Sequence, residues 1–539
     1  MSSTLYRHGV VHSPADPFAE ALLVENGVVA WLGSDDTADG LVAGVDEVVE
    51  LGGALVAPAF VDAHVHLLET ALAAAGLDLT GADLPGVLDA VAAVAAQRGA
   101  GDRRVVHGTG WDEGAWPEGR PPTRAELDAA GQGLPVYLAR VDVHSAVVSS
   151  ALADLAGLRD LPGWSQDGLV VGAAHHAARD VALAVDARER TALYRDALRR
   201  AAAAGIVAVH EQSAPHVDTR DGLRELLTTT ADAASALPLV VGYRAEACVT
   251  VDDARALLAD LPGLTGIGGD LNVDGSLGSR TAALRHPYAD APGTSGTLHL
   301  TAEQIANHVT AVTRAGSQAG FHVIGDRALD ELLLGLRAAA DVEGSAAIAA
   351  AGHRIEHAEM VDAHSLAQIL LLGLRLSVQP AFDATWGGPD GMYAARLGRG
   401  RAAALNPFAD LAAAGVPLAL GSDTPVTPFD PWGGVRAASA HRQADQRISV
   451  RAAFRAATRG GWRLAGLDHS GAGELRVGAP AHLAVWQAEH LVVQASRTST
   501  WSADARAGSP LLPDLGPDEP APQCLRTVRA GVVLHDTLG

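Results

Sequence analysis

The sequence predicts an α/β chain: a (β/α)8 barrel of parallel strands, a small β-sandwich built from both chain ends, and an insertion after the first barrel strand. Three observations lead there. Strand-like apolar runs alternate with Ala- and Leu-rich helical segments over several hundred residues, the rhythm of a parallel sheet or barrel. Both ends of the chain read instead as short strands around turn residues. At 539 residues the chain exceeds the size at which one hydrophobic core stops growing, so a large domain with a smaller companion is the natural division. Apolar residues at 48% and charged residues at 19% are ordinary globular values, and a TIM-like barrel accommodates all three observations.

Along the chain, ALLVENGVVAWLG sets Glu25-Asn26-Gly27 between two apolar runs, a hairpin signal. HLAVWQA and TVRAGVVLHD repeat the pattern near the far end, so 1–56 and 470–539 are assigned to one sandwich and 57–469 to the barrel. Barrel strands are expected to end near His66, Glu211, Glu246, Asp274, Ile324, His357, Gln379 and Asp423. Residues from about 68 to 200 form an inserted subdomain beside the barrel mouth, with strand-like runs of its own in RVVHGTGWDE and LPVYLARVDVH. AVAAVAAQRGA and RRAAAAG have helix-forming composition, and the Pro-rich stretch 509–522 reads as a surface loop.

Acidic residues outnumber basic ones by 63 to 40, a formal charge of -23, which argues against nucleic acid or an anionic membrane as partner and for a small molecule. Two distant cysteines, Cys248 and Cys524, form no disulfide framework or sulfur metal site. The opening MSSTLYRHGVVHSPADPF lacks a secretory pattern, and no uncharged apolar run is long enough to span a membrane, so a cytoplasmic location is expected. A homodimer is the assembly to which barrel enzymes give precedent. All 40 basic residues are arginine; the chain has no lysine.

In LVAPAFVDAHVHL a buried-type strand runs into His64-Val65-His66, and strand alternation sends both imidazoles to one side. At the C-terminal mouth of a parallel barrel such a pair suits a divalent cation, zinc first, because neutral imidazole is a good ligand for it. Alone, the pair also reads as two histidines at a polar strand end. His322 in GFHVIGD, His357 in RIEHAE and Asp423 in LALGSDTPV add ligand types at three further strand ends. Singly, His322 could cap a helix and Asp423 a turn; in this order the metal-site reading prevails. A carboxylate at the last strand can bind a cation and accept a proton from water. His210-Glu211 could enter the site or form a salt bridge, and Asp326 could orient His322 or cap the next helix.

VDAHVHL, DGSLGSRTAAL, HVIGDRA, RIEHAE and LGSDTPV together resemble the amidohydrolase superfamily, specifically amidohydrolase family 3, the branch that includes N-substituted formamide deformylases. The likeness covers nearly the whole chain, PPTRAELD at 121–128 included. It implies a metal-dependent hydrolase of non-peptide C–N bonds in an amide, formamide or cyclic amide, with metal residues His64, His66, His322, His357 and Asp423, of which His357 and Asp423 are also catalytic. Asp274 and Arg280 resemble pocket elements, with an Asp274–Arg280 ion pair as the alternative. Trp111, Arg140 and His144, with Trp116 and Asp142 nearby, resemble the substrate pocket, against core packing for the tryptophans.

One residue departs from the pattern. Many members place a lysine four residues before the aspartate of DGSLGS, and in carboxylated form it bridges two metals; here Asp270 stands there. Three readings remain. In the favoured one, a single metal is held by His64, His66, a further histidine and Asp423. In the second, Asp270 or Glu211 completes a two-metal site through a changed backbone path. In the third, catalysis is lost and a ligand-binding protein remains. Within enzymes, deamination or ester hydrolysis could use the same residues.

Overall fold

A computed structural model describes residues 2–98, 102–494 and 509–538. Its centre is a sheet of eight parallel strands: β1 (Phe60–Val65), β2 (Ile206–Ser213), β3 (Leu239–Arg244), β4 (Gly266–Ile267), β5 (Gln318–Val323), β6 (Arg354–His357), β7 (Arg375–Val378) and β8 (Leu418–Leu420). Neighbours in space are neighbours in sequence, and a parallel bridge between Val65 and Thr424 closes the ring. β1 and β2 are buried along their whole length, as strands enclosed by helices must be, so they carry apolar runs instead of alternation.

The fourth strand differs from expectation. It ends at Ile267, not near Asp274, because Gly268 and Gly269 follow with φ of 113° and 73°, outside the range a strand can use. A Cβ on Gly268 would lie 2.2 Å from the Gly320 carbonyl oxygen, so the close approach itself requires glycine. Beyond this break the chain runs beside β5, and Asn272 bridges His322. β8 is also short, stopping at Leu420.

Around the barrel sit the end sheets. Ser3–Arg7, Ala21–Glu25, Val28–Gly33 and Glu47–Glu50 form one. Val10–Val11, Leu55–Pro58, Leu483–Gln487, Gln523–Arg529 and Val532–Asp536 form the other, so both chain ends share it. Tyr6, Leu22, Val29, Val56, Val485 and Val528 pack between the two. In the first sheet Glu25 pairs with Val28 across Asn26 and Gly27, both at positive φ (49° and 80°), the two-residue turn whose twist matches a hairpin. The insertion carries a five-stranded sheet that includes Val106–Trp111 and Val136–Arg140.

The Pro-rich stretch is not a free surface loop. Leu511–Pro513 pairs with Leu491–Val493, and Leu512 is buried in the main core, which gives the segment apolar area to dock with. At the N-terminal end of β1, Phe60 meets Trp432 and Trp486 edge-on at 5.0 and 5.6 Å, and Trp432 stacks on Phe454 at 5.3 Å. Trp486 comes from the end sheet, so this aromatic group joins the sandwich to the barrel floor, each such pair contributing about 0.5–1.5 kcal/mol beyond area burial.

Candidate metal centre

The opposite end of the barrel gathers the histidines. His64 and His66, two residues apart on β1 and its end, point the same way, with Nε2 atoms 3.4 Å apart. Asp423 Oδ1 lies 3.3 Å from each of those nitrogens. A tetrahedral cation with bonds of about 2.0–2.1 Å has ligand edges of about 3.3–3.4 Å, so this triad has the dimensions of a tetrahedral cation site. Backbone pairing sets it: Asp423 N–H donates to the His64 carbonyl at 2.8 Å and His66 N–H to the Thr424 carbonyl at 3.1 Å. Asp62 Oδ1 accepts from the backbone N–H of both His64 and Ser422, tying the first strand to the turn after the last.

Each imidazole has its outer nitrogen committed to an oxygen that can only accept. His64 Nδ1–H donates to Glu356 Oε2 at 2.8 Å, His66 Nδ1–H to the Gln212 carbonyl at 3.1 Å, His322 Nε2–H to the Gly275 carbonyl at 3.3 Å and His357 Nδ1–H to Gln379 Oε1 at 2.9 Å. With the outer nitrogens donating, the neutral form of each ring turns a lone pair inward, at Nε2 of His64, His66 and His357 and at Nδ1 of His322, the atoms that would hold a cation. Glu356 is itself fixed by the buried Arg354, which also donates to the Ala63 carbonyl and to His210 Nδ1 and lies over the Tyr243 ring. His210 is thus a support of this network, outside the cluster.

Asp270 sits among all four rings. Its Oδ1 is 3.0 Å from His322 Nδ1, 3.6 Å from His357 Nε2 and 3.9 Å from His64 Nε2, while Oδ2 is 3.8 Å from His66 Nε2. The glycine pair before it gives the backbone the path that the short side chain needs. Glu211, the other acidic alternative, does not join: it is buried and its Oε2 accepts from Leu67 N–H at 2.8 Å, holding the turn after His66. Burial opposes charge throughout, yet Asp423 and Asp270 push the pKa of His66 up to about 10, and Asp270 and Asp423 push His357 up to about 9. The donor set of imidazole nitrogens and carboxylate oxygens, converging with negative charge in excess, fits a divalent cation.

The cluster opens into a pocket enclosing about 400 Å³, mouth included. His144 lines it, 5.1 Å from the His322 ring, and burial lowers its pKa to about 3, leaving a neutral imidazole. Arg140 also lines it, its guanidinium paired with Asp112 at 2.7 Å and Glu113 at 2.9 Å and near Asp142 at 3.3 Å, while Nη1 makes no hydrogen bond among the described residues. Trp111 is not a pocket wall: it is fully buried, packs with Trp116 in the insertion core and donates Nε1–H to the Leu138 carbonyl. Arg280 turns to Asp290 at 2.8 Å and not to Asp274, so the alternative ion pair does not form.

Asp274 instead accepts from the backbone N–H groups of Ala283, Ile324 and Gly325, and burial pushes its pKa up to about 6. Asp326 accepts from Arg285 and Arg327 N–H and does not orient His322. Sequence reasoning missed the aromatic wall of Phe382, Trp386 and Tyr393, and Glu359, whose Oε2 is buried without a partner. Glu359 lies two residues after His357 in an already noted motif; the aromatic residues lie in none.

Comparison with known proteins agrees with this geometry. The amidohydrolase family profile matches residues 47–535. Protein LONG AFTER FAR-RED 3 of Arabidopsis thaliana is 29% identical over 84% of this chain and 81% of its own. N-substituted formamide deformylase of Arthrobacter pascens is 33% identical over a shorter stretch, 26% of each chain. The crystal structure of an uncharacterised metal-dependent hydrolase from Pyrococcus furiosus superposes with a TM-score of 0.68 at 27% identity, covering 90% of this chain and 98% of that one. With a ring of tautomer-fixed histidines at the mouth of an eight-stranded barrel and a family match over most of its length, the chain belongs to the amidohydrolase family and is a metal-dependent hydrolase.

Proposed function

We propose that the chain hydrolyses a non-peptide carbon–nitrogen bond, an amide, formamide or cyclic amide of a small molecule, with zinc as its cation. The observation that carries the reading is the His64–His66–Asp423 triad, sized for a tetrahedral ion, with Asp423 at the wall of a pocket. Bound there, a divalent cation supplies Lewis acidity, lowering the pKa of water and polarising a carbonyl. Asp423, with Oδ1 turned to both histidines, is placed to accept the proton of the attacking water at its other oxygen and return it to the leaving nitrogen. Neutral His144 can donate one hydrogen bond to a substrate oxygen, and Phe382, Trp386 and Tyr393 favour an apolar or aromatic substituent. Carboxylates surround Arg140, so the pocket suits an uncharged substrate better than an anionic one. The partial likeness to the formamide deformylase supports testing N-substituted formamides first. We also place the chain in the cytoplasm, a reading supported by two free cysteines.

The test is turnover of N-aryl and N-alkyl formamides, cyclic amides, esters and aminated rings by zinc-loaded protein. Amide or formamide hydrolysis that falls at least about 100-fold in Asp423→Asn supports the reading. Hydrolysis of esters or rings alone would move it to those reactions, and full activity in Asp423→Asn would remove Asp423 from its role.

A further inference from the structure

Resting on that reading, we propose that the pocket selects substrates carrying a carbamoyl or ureido group apart from the bond that is cleaved, and that Glu359 reads this group by accepting one of its N–H bonds at Oε2. Glu359 follows β6, two residues beyond His357, and lines the pocket while only 2% exposed. The Tyr393 hydroxyl is a hydrogen-bond neighbour of its carboxyl, and Oε2 has no partner among the described residues. A buried polar atom left bare is costly, so few persist without a task. The placement is also built by the backbone. His357 and Ala358 both take positive φ (70° and 48°), a conformation non-glycine residues rarely adopt, and Asn406 N–H donates to the Glu359 carbonyl at 2.8 Å.

Two further atoms of the same lining share this state. Asp142 gives Oδ2 to the Ser276 and Ser279 hydroxyls at 2.6 and 2.8 Å, while its Oδ1 is buried without a partner. Arg140 Nη1 is a buried donor without an acceptor. Two acceptors for N–H and one donor for a carbonyl are the complement of a group that holds N–H bonds beside a C=O. An anion would meet the carboxyls of Glu359 and Asp142, an ammonium would offer Arg140 no acceptor, and an alkyl group would leave all three atoms bare. A carbamoyl or ureido group is neutral and planar and carries both kinds of partner. Phe382, Trp386 and Tyr393 line the pocket with flat apolar faces that suit a ring bearing it. Any group that displaces solvent from these atoms without replacing its hydrogen bonds loses affinity.

The experiment compares benzamide with acetophenone, which has the same shape but a methyl in place of the NH2. Binding to the full-length protein is read by ligand-observed nuclear magnetic resonance titration, both zinc-loaded and after chelation, where no cation draws the carbonyl. Benzamide is expected to bind at least about 10-fold more tightly in both states. Glu359→Leu should remove that preference by weakening benzamide alone, and Glu359→Gln, which keeps a carbonyl oxygen, should restore part of it, both at unchanged circular dichroism. Glu359→Ala replaces the leucine variant if that one does not fold. Equal affinities in the wild type, no binding of benzamide, a preference confined to zinc-loaded protein, or one that survives in Glu359→Leu would each overturn the assignment. In all four, chelator-sensitive hydrolysis would leave the proposed function standing; a preference without hydrolysis of any carbon–nitrogen bond would remove the reaction and keep the recognition site.

Discussion

Glu356 never faces the pocket, yet the centre depends on it: buried between Arg354 and His64, it holds the imidazole that both ligand groups approach. Glu356→Gln is expected to weaken cation affinity by about 10–100-fold, measured by competition with a chromogenic chelator, with the fold retained. Unchanged affinity would show that His64 is oriented by packing alone. Asp274 has a different task, as its three backbone donors are buried. Asp274→Ala should cost on the order of 3 kcal/mol in urea unfolding, because those donors lose their acceptor where water does not reach. The histidines and Asp423 were legible in the sequence because strand ends put short ligand motifs in order. Glu356 was not, since its partner lies 292 residues away and nothing local distinguishes it from any strand residue. The placement of Trp111 and Arg280 was not legible for a related reason: a side chain's type fits a pocket, but which way the chain turns it depends on Leu138 and Asp290.

Among the elements, the break after β4 matters most to the site. LNVD carries a strand-like alternation of Leu271 and Val273, and the chain does lie along β5 there, through Asn272 and His322. The two glycines before it interrupt the strand, and their left-handed geometry is invisible to a period of two. Gly268→Ala combines an unfavourable φ with a Cβ 2.2 Å from a carbonyl oxygen. It should destabilise the fold by about 1–3 kcal/mol and lower metal content together, both read on one preparation. Retained metal content at reduced stability would separate the break from the placement of Asp270. The first hairpin shows the opposite case, where Asn26-Gly27 states its own turn type and pairing follows.

For the whole molecule, buried histidines outside the cluster bear on acid stability, His12, His308, His353 and His482 among them. Burial lowers the pKa of His12, His308 and His482 to about 4 and of His353 to about 3. The unfolded chain takes up these protons near pH 6.5 and the native chain only near 3–4, so stability is full above pH 6.5 and lost as pH falls toward 4. Each group contributes up to about 1.4 kcal/mol per pH unit in that window. His353→Gln should therefore flatten the slope of unfolding free energy between pH 6.5 and 4 relative to wild type in urea titrations; an unaltered slope would mean that His353 protonates in the native state. At this scale the alternation of strands and helices made the barrel legible, and matching apolar strands at both ends made the sandwich so. The pocket wall was not, because Phe382, Trp386 and Tyr393 reach it from helices whose sequence carries no site motif. A working metal centre at the histidine cluster makes turnover depend on a bound cation. Its most direct test is to follow cation content and formamide or amide hydrolysis through chelation and zinc return: both should vanish and return together, whereas undiminished turnover in stripped protein, or failure to take up any cation, would contradict it.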